Sequence, residues 1–108
     1  MANTFKLKTK NNVGTATSDV YVVPSSTTCV VIGVTLANTS GSGINVGIGI
    51  TRSSTDDVNL MKNVPIPQGS SFEFMGGNKV VLEATDTFTA ESDVNSSLDV
   101  ALTIMEIT

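Results

Sequence analysis

Residues 44–51 read INVGIGIT, and within them Ile44, Val46, Ile48 and Ile50 recur at a strict period of two. A β-strand sends successive side chains to opposite faces, so this spacing makes a strand with one apolar face. A helix needs apolar positions three and four apart, and nowhere in the chain does that spacing persist beyond about one turn. The other face of the strand carries Asn45, Gly47 and Gly49. A face so poor in side chains either admits another backbone at close range or relieves crowding at a bend or bulge.

The same alternation extends outward in both directions. Upstream, CVVIGVTLAN (29–38) places Val30, Ile32, Val34 and Leu36 on one face, and TSGSG (39–43) is turn chemistry between the two strands. TATSDVYVV (15–23) runs to Pro24, and near the N-terminus Phe5 and Leu7 alternate with Lys6 and Lys8. Downstream, DVNLMKNV (57–64) reads as a weaker strand. PIPQG (65–69) reads as a loop, because neither proline can donate to a ladder. FEFM, a GGN turn at 76–78 and KVVLEA form a predicted hairpin. TFTAES (87–92) and LDVALTIMEIT (98–108) complete the series, with Leu98, Val100, Leu102 and Ile104 facing one way.

The expected architecture is therefore all-β: eight to nine short strands in an antiparallel β-sandwich, jelly-roll-like or Greek-key, with barrel closure as the alternative. Clean alternation implies one buried and one wet face for each strand. At 108 residues, with no internal repeat and no linker, 1–108 is a single domain. Val30–Leu36, Ile44–Ile50 and Leu98–Ile104 are its expected central rows.

Composition narrows function. Ten acids against six Lys and Arg give a net charge of -4, the wrong sign for neutralising phosphates, so no nucleic-acid partner is expected. With no His, the commonest general base and metal ligand is missing. A single cysteine, Cys29, excludes an internal disulfide, and in its apolar run it reads as a small buried hydrophobe. No apolar run approaches the ~20 residues of a membrane span, and no secretory signal follows the N-terminal lysines, so synthesis in a cytoplasm is expected. The acids read as solvated turn and outer-face charges, Asp56-Asp57 as a turn cap rather than a calcium loop. No serine has an activating base. No catalytic residue, cofactor or metal site is expected.

Two surfaces stand out as candidate interfaces. Lys6, Lys8 and Lys10 are three of the six cations and lie on one face of one strand. Such a strand is either an edge protected by lysines or an arm for an acidic partner. The second surface is the face of Asn45, Gly47 and Gly49.

The stretch VPIPQGSSFEFMGGNKVVLE (64–83), TDTF (85–88), the ending LDVALTIMEIT and the opening NTFKLKT (3–9) resemble small virion structural proteins of tailed bacteriophages. The resemblance implies a non-enzymatic subunit located in the virion, built as a homo-oligomer and contacting major capsid or tail proteins. It implies capsid decoration first, with a tail accessory role (tube, neck or baseplate-associated) as the alternative. Outside the resemblance, a β-sandwich carbohydrate-binding module competes. The absence of Trp and the mid-strand place of Tyr21 weigh against it.

Overall fold

Alternating Val, Ile and Leu on pleated segments bury one face each only if two sheets close on one another. A computed structural model of the chain describes residues 3–52, 56–74 and 79–108, apart from the Phe74 side chain. Among these residues nine strands follow in order: β1 (Asn3–Val13), β2 (Ser18–Val22), β3 (Thr28–Asn38), β4 (Ile44–Thr51), β5 (Val58–Ile66), β6 (Ser71–Phe74), β7 (Val80–Leu82), β8 (Thr87–Ser92) and β9 (Leu98–Ile107). One sheet runs β1-β9-β3-β6, with β7 also on β3, and the other runs β2-β8-β4-β5. Every pairing is antiparallel.

The pairing is nested. The first strand joins the last, β2 joins β8, β3 joins β6 and β7, and β4 joins β5. A long hairpin wrapped over itself in this way is a jelly roll, one of the two topologies the alternation allowed. Between the sheets lie Phe88, Leu36, Ile48, Ile66, Leu82, Leu98, Leu102 and Ile104, all fully buried. Each such side chain contributes about 1.5–3 kcal/mol relative to an exposed one.

Four sequence expectations change in three dimensions. The register of β3 against β9 shifts between Val31 and Gly33. That bulge reverses the parity of the strand, so Cys29 and Val31 face the core before it and Val34 and Leu36 after it. Val30 and Ile32, expected inside with Val34 and Leu36, face outward instead. Second, the predicted hairpin does not form: β6 pairs with Val34–Ala37 and β7 with Cys29–Val31. Both run antiparallel to β3, so they point the same way and share one interrupted strand position; the GGN turn lies outside the described residues. Third, β5 continues through Pro65 to Ile66. It is an edge strand, where a missing N–H leaves no ladder bond unmade.

The fourth change concerns β1. Lys6, Lys8 and Lys10 stand opposite Ile104, Leu102 and Val100, whose side chains face the core. The lysines therefore occupy the inward side of the sheet, at a margin where they stay mostly exposed. Phe5 and Leu7 point outward, 70% and 63% exposed. Apolar alternation here marks the wet face.

Candidate functional site

At the margin of the sandwich, β9 ends with an acid in a core-facing row. Glu106 follows Leu102 and Ile104 on the inward side and is only 5% exposed. The solvated reading of the acids fails for it, and also for Asp86, which is buried, accepts the Glu83 N–H at 2.9 Å and lies 3.2 Å from Arg52 Nε. Lys6 Nζ lies 2.8 Å from Glu106 Oε1, and Tyr21 from the facing sheet donates its hydroxyl to Glu106 Oε2. Lys8 Nζ stands 5.6 Å from the centre of the Tyr21 ring, within cation–π reach. One carboxylate thus joins β1, β2 and β9.

The charges follow from this geometry. The Lys6 ammonium, then the Tyr21 hydroxyl, holds the Glu106 carboxyl below its usual range. Burial first, and then the bond to Glu106, push Tyr21 well above the ordinary phenol value. Burial pushes the Cys29 thiol up to about 11, against the opposing influence of the nearby Tyr21 hydroxyl. A buried thiol that stays protonated near neutrality is no nucleophile. The cluster can fasten strands, and it offers no general base with access to solvent. Among the described residues no group of three or more His, Cys, Asp or Glu is arranged to hold a metal ion.

On the other sheet, Asn45, Gly47 and Gly49 floor two adjoining depressions of about 170 and 240 Å³, with Asp57, Glu91 and Asp93 on their rims. The glycines themselves are covered by their own chain. A Cβ on Gly49 would stand 2.7 Å from the Val58 carbonyl oxygen, and one on Gly47 3.2 Å from that of Met61. The register of β4 against β5 shifts twice across this stretch. Bulged β5 backbone is thus the neighbour that approaches both glycines. Asp57 accepts the N–H of Arg52 at 2.9 Å.

One surface escaped sequence reasoning. Across the outer face of the β1-containing sheet, Phe5 pairs with Met105, Met105 with Val30, and Val30 with Val81. This row crosses four strands, and Val81 at its far end is 58% exposed. Its members lie in four separated segments, and the β3 bulge is what turns Val30 outward. Phe5 and Leu7 beside the lysines were the only local signal. Tyr21, considered as a glycan platform, is buried.

No protein-family model and no curated protein sequence matches the chain. Solved structures do match in fold. A subunit from Bacillus endospore appendages, a family of disulfide-linked pili, superposes with a TM-score of 0.59 at 14% identity, over 99% of this chain and 87% of its own. A protein of the acid-stable capsid of Helicobacter pylori bacteriophage KHP30 superposes with a TM-score of 0.57 at 12% identity, over 100% of this chain and 94% of its own. At such identities the shared property is the fold.

Proposed function

We propose that this chain is a non-enzymatic structural subunit of a bacteriophage virion, present in many copies and fixed to the capsid as a decoration protein. The observation that carries the reading is the coincidence of two independent likenesses. The segments at 3–9, 64–83 and 98–108 resemble tailed-phage virion proteins, and the whole jelly roll overlays a phage capsid protein from end to end. The surfaces suit the role. An apolar row on one sheet and a lysine-bearing margin provide faces for neighbouring chains, and the Asn45–Gly47 trough provides a second candidate contact.

The pilus likeness favours a different assembly. Covalent linkage through cysteine does not suit this subunit, since Cys29 is the single cysteine and is completely buried. Mass spectrometry of purified virions of the encoding phage tests the proposal, with the chain expected at a copy number comparable to the capsid protein. Its absence from intact particles overturns the virion reading. Electron microscopy of labelled particles separates the two locations: label over the capsid shell is expected, and label confined to the tail replaces decoration with the accessory role. A bulky residue at Gly47 is a poor test of the trough, because it strikes the Met61 carbonyl first. Asn45→Arg adds charge at an exposed position without that clash. It is expected to leave the melting temperature unchanged and to lower particle binding several-fold; full binding removes the trough from the interface.

A further inference from the structure

A β-sandwich has four edges, each a row of unpaired backbone donors and acceptors that proteins blunt against stray pairing. Three edges of this molecule are blunted. Strand β2 has five residues and a register shift, and among the described residues β6 and β7 have only four and three. Strand β5 has two register shifts, Pro65, Lys62 and Asn63 at a φ of 56°. Strand β1 differs. It spans 11 residues, has no proline, and holds an uninterrupted register on β9 from Asn3 to Lys10. It also presents exposed Phe5 and Leu7; its register shift and Asn12 at a φ of 54° lie beyond Lys10, so over Asn3–Lys10 only the lysines guard it.

We propose that β1 is a self-pairing edge: it joins β1 of a second copy, antiparallel across a two-fold axis, with Phe5 opposite Phe5. The occupant follows from the side chains. Two-fold pairing within one continuous sheet sets residues of the same parity opposite each other. Centring the pair on Leu7 sets Lys6 against Lys8, and centring it on Lys6 sets that lysine against itself. Like charges directly opposite are destabilising. Centring on Phe5 sets Lys6 against Thr4 and Leu7 against Asn3, so the lysines no longer oppose one another. One step further, centred on Thr4, the lysines also separate, but Phe5 then faces Asn3 and loses its aromatic match.

The Phe5 register has a second consequence. It brings the row Val81–Val30–Met105–Phe5 of one copy end to end with the same row of the other. Two five-stranded sheets become one continuous sheet, and their outer apolar faces become one surface. Self-complementarity of this kind is the property of an isologous interface. Lys6 contributes by being held to Glu106 on the opposite side of the strand from Phe5, which leaves the contact face apolar. An acidic strand of another protein would satisfy the lysines equally well but would leave Phe5 without its apolar match.

Cysteine cross-linking of the purified chain tests this, and native Cys29 is too buried to interfere. In the proposed register the Cβ atoms at position 5 lie about 4.5–5.5 Å apart, within range of a disulfide after small adjustment. Those at position 7 are staggered by four residues, roughly 13 Å. Under mild oxidation Phe5→Cys is expected to link into dimers nearly completely, whereas Leu7→Cys alone links at least tenfold less. A mixture of Leu7→Cys and Asn3→Cys recovers the heterodimer. By sedimentation the unmodified chain is expected to be dimeric, and Phe5→Lys monomeric with unchanged far-ultraviolet circular dichroism. Monomeric wild type, Phe5→Cys that stays unlinked, or Leu7→Cys linking as readily as Phe5→Cys overturns the proposal. So does pairing of β1 with another virion protein while the free chain remains monomeric. The experiment needs no virion, so its failure is separable from that of the proposed function.

Discussion

Glu106→Ala is expected to lower stability by about 1.5–3 kcal/mol, the range for removing a hydrogen bond to a charged group. The substitution strips the buried Tyr21 hydroxyl of its acceptor and releases Lys6 from the margin of the sheet. Desolvation of the orphaned phenol supplies much of the cost. The Lys6 pairing adds less, because that side chain is 43% exposed and solvent screens it. In a thermal melt each kcal/mol corresponds to roughly 4–8 °C for a domain of about this size. A melting temperature unchanged within a degree sinks the assignment of Glu106 as the fastener of β1 and β2.

The same carboxylate sets an acid limit. Its value in the folded chain is depressed, so its stabilisation is complete above the ordinary 4.5 and is lost as pH falls through the lower folded value. Glu106→Gln keeps the shape and an acceptor for Tyr21 but removes the charge. Urea midpoints measured from pH 6 down to the acid limit are expected to fall less steeply for this variant than for the wild type; parallel curves refute the linkage. On the alkaline side the signs reverse. Cys29 and Tyr21 are raised in the folded state, so stability falls as pH climbs above the ordinary thiol and phenol values.

Gly49→Val is expected to cost about 3 kcal/mol or more. The added Cβ alone stands 2.7 Å from the Val58 carbonyl oxygen, a distance that real Cβ contacts do not reach. The obstacle is backbone, so relief requires the bulged β5 to move off β4. That motion breaks the ladder at a site where two register shifts already weaken it. Overpacking usually costs about 1–3 kcal/mol, and a β-branched residue against an immovable carbonyl belongs at the upper end. Gly47→Ala, at 3.2 Å from the Met61 oxygen, is expected to cost less than half as much. Chemical denaturation of both variants checks the order, and a Gly49→Val protein as stable as Gly47→Ala contradicts the close approach.

These cases mark how far local pattern reaches. The strands through Ile44–Ile50 and Leu98–Ile104 were readable because an unbroken period of two carries straight into burial. Pattern failed at β3, where one extra residue at the bulge inverted everything upstream of it. It failed again at FEFM and KVVLEA, which looked like partners because they are neighbours in sequence. Each instead pairs with β3, and pairing over long separations carries no local signature.

Glu106 was hidden for a related reason. The row Leu102, Ile104, Glu106 reads as an apolar face ending in a surface charge. Only the approach of Tyr21 and Lys6, 85 and 100 positions away in sequence, makes its burial tolerable. The spacing and chemistry of side chains alone determined an all-β sandwich, most of its central rows, a lysine edge and two glycines that either admit a close neighbour or relieve a bulge. Tertiary structure decided that bulged β5 lies against those glycines, that the lysines flank the core side, and that Phe5 and Leu7 are left to water. The physical reason is that alternation divides a strand into two faces but does not say which one another sheet will cover. That choice depends on the nested wrapping of the whole chain, and at β1 it left the apolar face open.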